Sequence, residues 1–249
     1  MRIASTSLIR SLINKGTRLD GRKFLEYRKI NSKVNIISKA EGSCYVEMGD
    51  TKVVVGIKFY IMEPYPDTPD EGGLVVSLNY VPIVFQDLEQ NIDIEFSRII
   101  DRSIRESKMI NMKDFCISKG KRAIHIFVDG YIINHDGNLV DALNLAAVKA
   151  LKSTNLPKVE DGKIIQTEKK LKLSSLPVTV TISKLEDKYL VDLNRIEEKA
   201  VDYSLAVSFL SENEICAMQK MGIGGIKSTE LKKLIEIGKE KQAELRRFL

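Results

Sequence analysis

The sequence predicts a mixed α/β protein built from two similar halves. Segments that alternate apolar and polar residues, as half-buried strands do, are followed by segments with helical spacing, and this order occurs twice in 249 residues. A Lys- and Asp-rich stretch at about 152–176 separates the two runs and is expected to form a loop or an exposed hairpin. We therefore place the boundary between residues 155 and 156, with halves 1–155 and 156–249.

The first half is predicted to begin with a helix and a series of strands. The N-terminal helix is expected to end at Gly16, a typical C-terminal cap. Residues 43–49 and 51–61 alternate apolar and polar side chains around a Gly-Asp turn and predict two paired strands. The Pro-rich segment 63–73 must be a loop, and a further strand is expected over 74–85.

The rest of the chain repeats this pattern. Residues 122–134 read as a strand in which Asp129–Gly130 forms a turn or a bulge. Residues 139–153 predict a helix whose alanines allow it to lie close against a sheet. Four strands and a final helix over 228–248, with Ser228 as its N-cap, are expected to complete the second half.

Composition limits the classes of function. The chain is 43% hydrophobic and 29% charged, which is typical of a globular protein, and its net charge of +5 permits binding to a polyanion without requiring it. No apolar run is long enough to span a membrane and no signal peptide is evident, so we expect a cytoplasmic protein without a membrane partner. Buried free thiols are expected at Cys44, Cys116 and Cys216, and with two histidines no zinc-type metal site is predicted.

A row of arginines marks the predicted helix near residues 92–106. Arg98, Arg102 and Arg105 fall on the side of this helix opposite the apolar face formed by Phe96, Ile99, Ile100 and Ser103. Like charges at this spacing repel one another, so something must offset the repulsion. Two explanations stay open. The arginines could form ion pairs with Glu95, Asp101 or Glu106 or with carboxylates on a neighbouring strand, or their guanidinium groups could bind phosphate.

Signals for catalysis are weaker. An Asp-Gly turn at 136–137 opens a predicted helix, where an anion could bind the backbone N–H groups of 138–140. Glu197, Glu198 and Asp202 could hold Mg²⁺, although a solvated turn is the favoured interpretation. No G-x-S-x-G, H-E-x-x-H or Rossmann glycine motif is present. Chemistry alone therefore does not predict an enzyme.

Several of these segments together resemble a known family. From about residue 15 to the C-terminus the chain is similar to the RNase PH family of phosphorolytic 3′–5′ exoribonucleases, through "TRLDGRKFLEYRKI", "AEGSCYVEMGDTKVVVGIK" and "IEFSRIIDRSIRES". The segments "YPDTPDEGGL" and "IINHDGNLVDALNLAAVKAL" resemble more specifically the non-catalytic RNase PH-like component of the archaeal exosome. The resemblance implies a two-layer α+β, RNase PH-like fold with two βαβα-type halves. It also implies a heterodimer with a catalytic sister subunit, three of which form a hexameric ring, and an RNA-binding cap protein.

The same resemblance argues against catalysis by this chain. Catalytic members carry Gly-Thr/Ser-Arg directly after an Asp-Gly to bind phosphate, whereas here Asn138, Leu139 and Val140 follow the turn. Asp202 matches the second residue of the family's Asp pair, but the preceding "RIEEKAV" contains no Asp. The resemblance thus implies no catalytic residue, bound metal or cofactor in this chain.

The arginines, by contrast, match the family. Arg98 and Arg102 correspond to RNA-contacting arginines, and Arg105 is the least certain of the three. One departure is that relatives carry a Gly-Pro-Pro-rich loop before this helix, where this chain has "FQDLEQNID".

The expected function is therefore a non-catalytic exosome subunit that binds single-stranded RNA without sequence preference and helps to structure its sister's active site. The alternatives are a self-sufficient phosphorolytic 3′–5′ exoribonuclease and a purely architectural ring member.

Overall fold

The first half of the protein is a mixed sheet covered by helices. A computed structural model describes the backbone of residues 2–81 and 92–249, and the side chains from residue 6 and, after the gap, from residue 93. The sheet has the order β1-β2-β3-β6-β4, with β5 paired to β6, and its strands are β1 (Ile30–Val34), β2 (Gly42–Met48), β3 (Thr51–Met62), β4 (Gly73–Tyr80), β5 (Cys116–Ser118) and β6 (Arg122–Asn134). All these pairs are antiparallel except β4 with β6. The helices of this half are α1 (Arg2–Asn14), α2 (Ile92–Glu106) and α3 (Leu139–Ser153).

The second half is an antiparallel sheet with one long helix. Its order is β10-β9-β11-β12, and its strands are β9 (Val178–Leu185), β10 (Lys188–Val191), β11 (Tyr203–Phe209) and β12 (Ile215–Met221). A single helical turn, α4 (Arg195–Glu198), precedes β11, and α5 (Ser228–Arg246) packs on β9 and β11. Between the halves, β7 (Asn155–Glu160) and β8 (Lys163–Lys170) form the predicted exposed hairpin. The predicted boundary at 155/156 coincides with the start of β7 and stays a prediction.

Helix α3 joins the two halves. It packs against β2 and β3 on one side and against β9 and α2 on the others. Nearly all its side chains are buried, and this explains why most of them are apolar or small, with Asp141 and Asn144 as buried polar exceptions. The approach to the sheet is close, because a Cβ at Gly42 of β2 would lie 2.5 Å from the carbonyl oxygen of Ala150. The expectation of a small-residue helix against a sheet is confirmed.

Three local predictions are wrong. Asp129–Gly130 is neither a turn nor a bulge but continues β6, where a Cβ at residue 130 would lie 2.5 Å from Leu78 Cδ2. The N-cap of α5 is Lys227 instead of Ser228, and the Lys227 backbone N–H donates to the Glu230 carboxylate at 3.2 Å. Among the three free cysteines only Cys44 is fully buried, while the other two are half-buried.

Two other predictions concern segments that lie largely outside the described residues. Strand β4 ends at Tyr80, and the remainder of the strand expected over 74–85 lies largely outside the described part of the chain. The segment that replaces the relatives' Gly-Pro-Pro loop also lies largely outside it. Within the described residues, no helix has both the length and the apolarity needed to cross a bilayer.

Candidate nucleic-acid interface

Helix α2 has the two faces that its sequence predicts. Ile99, Ile100 and Ser103 are at most 4% exposed, and the Asn144 amide of α3 donates to the Ser103 hydroxyl at 2.9 Å. The helix also packs on β4 and β12, so it lies between the two sheets. Arg98, Arg102 and Arg105 are all exposed. The packing of one face therefore fixes the direction in which the arginines project.

Arg105 is held by an ion pair. Its guanidinium donates to both oxygens of Asp101, at 2.7 and 3.0 Å, and to the carbonyl of Leu74 at 3.1 Å. The Asp101 carboxylate raises the pKa of Arg105 above its usual value. For this member of the arginine row the ion-pair explanation holds, and this favours a structural role for Arg105.

Among the residues that the structure describes, Arg98 and Arg102 have no carboxylate partner. In the described part of the chain the Arg98 side chain makes no hydrogen bond or ion pair, and the Arg102 side chain makes one hydrogen bond, from Nη1 to Gln219 Oε1 at 3.1 Å. Both side chains border an open crevice with Val76, Ser97 and Asp101. Two guanidinium groups that have no carboxylate partner among the described residues thus border one surface crevice, an arrangement suited to phosphate binding.

The start of α3, where an anion was predicted to have access, is already occupied by a carboxylate of the protein. The Asn138 backbone N–H donates to Glu198 Oε1 at 2.8 Å, beside a cavity of about 310 Å³ that both residues line. Burial raises the pKa of Glu198 to about 7. The turn before the helix is tightly packed: Gly137 has φ of +83°, and a Cβ there would lie 2.3 Å from the Leu193 carbonyl oxygen. An incoming anion would meet Glu198 first.

The Asn138 side chain is also committed. Its amide donates to Asp192 Oδ1 at 3.0 Å and to Asp141 Oδ2 at 3.2 Å, and all three side chains are buried. Asp192 is neutralised by Arg22 and Arg28, at 2.9 and 2.7 Å. Among the described residues no cation pairs with Asp141, and burial raises its pKa to about 7.

The acidic cluster is not a solvated turn, so that prediction is wrong. Glu197 is buried and pairs with Arg18, which donates to both carboxylate oxygens at 2.9 and 2.5 Å. Asp202 accepts from Arg10 at 2.9 Å and from the backbone N–H of Glu186 at 2.7 Å. Across the described residues, no group of three or more His, Cys, Asp or Glu side chains is arranged to hold a metal ion.

Sequence reasoning missed the arginines near the start of the chain. In the sequence Arg18, Arg22 and Arg28 belong only to the family-like segment "TRLDGRKFLEYRKI", yet in the structure they bind carboxylates about 170 residues further on. No spacing rule connects positions so far apart, so the sequence carried no signal for these pairs.

The two-layer α+β fold, with an arginine-bearing helix between its two sheets, defines the class of protein to which the chain belongs. The family models for the 3′ exoribonuclease family match the chain in two parts, domain 1 (RNase PH) over residues 26–157 and domain 2 over residues 175–241. The chain belongs to the RNase PH family.

Two similar proteins come from archaea. The chain is 38% identical over 245 residues to "Exosome complex component Rrp42" of Methanocella arvoryzae, covering 97% of this chain and 94% of that protein. It is 39% identical to the protein of the same name from Methanopyrus kandleri, over 94% of this chain and 91% of that protein. Among solved structures, the Archaeoglobus fulgidus exosome with RNA bound to the active site matches with a TM-score of 0.89 and 35% identity, over 99% of this chain and 98% of the other.

Proposed function

We propose that this chain is a non-catalytic subunit of an archaeal exosome, a phosphorolytic 3′–5′ RNA-degrading complex. The name carried by its relatives and the structural match to exosome cores support an exosome subunit instead of a self-sufficient enzyme. In this proposal the subunit holds the RNA strand, and a catalytic sister subunit binds phosphate and attacks the terminal phosphodiester.

The single observation that carries the non-catalytic assignment is the bond between Glu198 and the Asn138 backbone. A phosphate at the start of α3 would have to displace a carboxylate that already accepts from the helix N–H group. At positions 139 and 140 the side chains are Leu and Val, which offer no donor in place of the family's arginine. Asp202, the remaining match to catalytic members, is bound by Arg10. Each element of a phosphorolytic site is therefore absent at its family position or already engaged.

The positive part of the proposal is RNA binding by Arg98 and Arg102. Both guanidiniums are exposed and have no neutralising carboxylate within the described part of the chain, whereas Arg105 is paired with Asp101. Contacts of this kind bind phosphates of any sequence and position the strand without reading bases. Of the three predicted RNA-binding residues, Arg105 thus has the weakest support.

The assembly is part of the proposal. The subunit pairs with its catalytic sister, three such heterodimers close into a hexameric ring, and an RNA-binding cap protein completes the particle in the cytoplasm. By holding the strand beside the sister's active site, this chain contributes orientation to the reaction and no chemical group.

Release of nucleoside diphosphate tests the division of labour. The purified chain, mixed with single-stranded RNA and inorganic phosphate, is expected to release none, and the complex reconstituted with the sister subunit is expected to release it processively. Asp202→Asn in this chain should leave the turnover of the complex unchanged. Release by the chain alone, abolished by Asp202→Asn, would instead establish the self-sufficient exonuclease.

A further inference from the structure

The arginine row of α2 is linked to the second half of the protein at one residue. Arg102 Nη1 donates to Gln219 Oε1 on β12 at 3.1 Å, across 117 residues of sequence. The Gln219 amide nitrogen donates in turn to the carbonyl of Lys220 at 3.3 Å. Both ends of this amide are therefore engaged, and its oxygen faces the guanidinium.

The chemistry of this partner differs from that of the neighbouring pair. Asp101 holds Arg105 through two hydrogen bonds and cancels its charge. Gln219 is neutral, so it restrains Arg102 and leaves its full positive charge available. A guanidinium has five N–H donors, and one bond to Gln219 leaves four for a phosphate.

We propose that Gln219 is a positioning residue for RNA binding: it holds the Arg102 guanidinium in place from β12 without neutralising it. This inference rests on the proposed function, since it assumes that Arg102 contacts RNA phosphate. Orienting an otherwise mobile arginine before binding removes part of the entropy cost of ordering it in the complex.

A double-mutant cycle tests the role of Gln219. In the reconstituted complex, Gln219→Ala is expected to weaken binding of a single-stranded oligonucleotide by about three- to tenfold, the cost of ordering one long side chain. The dependence of affinity on salt should stay the same, because no charge is lost. In an Arg102→Ala background the same substitution should have no further effect. A residue that contacts RNA directly, or that merely supports β12, would weaken binding in both backgrounds, and either result would overturn the proposal.

A charged replacement gives a second readout. Gln219→Glu should pair with Arg102 as Asp101 pairs with Arg105, and should lower the slope of log affinity against log salt by about 0.7, as Arg102→Ala does. Gln166→Ala, at an exposed glutamine of β8, serves as the control and should change nothing. If Arg98→Ala weakens binding while every Gln219 variant binds as the wild type, only the role of Gln219 is refuted. If neither Arg98→Ala nor Arg102→Ala has an effect, the proposed RNA face itself fails.

Discussion

Substitution of both Arg98 and Arg102 is the perturbation that addresses the RNA face. No carboxylate of the described residues pairs with Arg98 or Arg102, so each is available to displace one counterion from the RNA backbone. For single-stranded nucleic acid, each such contact contributes about 0.7 to the slope of log affinity against log salt. Arg98→Ala with Arg102→Ala should therefore make this negative slope shallower by about 1.4. If each exposed contact contributes about 1 kcal/mol, affinity should fall about 30-fold.

The assay is fluorescence anisotropy of a labelled oligonucleotide with the reconstituted complex, over a series of salt concentrations. Several oligonucleotide sequences should weaken equally, because backbone contacts do not read bases. Arg98→Lys with Arg102→Lys should keep the slope and lose only the benefit of the forked geometry.

Two controls isolate the local effect from net charge. Arg247→Ala removes one exposed positive charge at the end of α5 and should leave binding nearly unchanged. Asp101→Asn with Arg105→Gln removes a neutral pair and should leave the slope unchanged. An unaltered slope in the Arg98/Arg102 double variant would refute the reasoning and favour a purely architectural subunit.

Two further predictions concern the buried charges. Glu197→Gln leaves Arg18 buried without its counter-charge and should lower the free energy of unfolding by about 3 kcal/mol or more, measured by urea denaturation. The control Glu212→Gln, at an exposed site, should change this free energy by no more than about 0.5 kcal/mol. Equal effects of the two substitutions would contradict the ion-pair argument. Folding raises the pKa of Asp141 to about 7, so the folded state binds the proton more tightly than the unfolded state. Stability contributed by this group is present at low pH and is lost as pH rises from about 4 to 7, at about 1.4 kcal/mol per unit. Asp141→Asn should flatten the pH profile of the unfolding free energy over this range. Part of the slope should persist, because the pKa of Glu198 is raised as well. An unchanged profile would show that Asp141 ionises normally.

The elements that sequence predicted well are those with a strong period. Helix α2 was predictable because one face is apolar at helical spacing, and the long strand β3 because it alternates strictly. Strand β1, "INSKV", buries only its first residue, so it gave no such signal. The break at Asp129–Gly130 was misjudged because glycine in a strand also serves close packing, here against Leu78.

The candidate site likewise has features that the sequence predicted and features that it did not. The missing arginine at the start of α3 could be read directly from the residues after the Asp-Gly turn. The bond from the Asn138 backbone N–H to Glu198 could not be read in this way, because the two residues are 60 apart in sequence and meet only through tertiary packing. The same holds for Arg102 and Gln219. Sequence identified which side chains could act, while tertiary contacts determined which of them are free to do so.

We propose that this chain binds the RNA strand and no orthophosphate. The most direct measurement is a crystal of the reconstituted complex soaked in inorganic phosphate. We expect the anion in the sister subunit alone, with Glu198 still accepting from the Asn138 backbone in this chain. An ordered phosphate beside Asn138 and Asp202, with Glu198 displaced, would contradict the account.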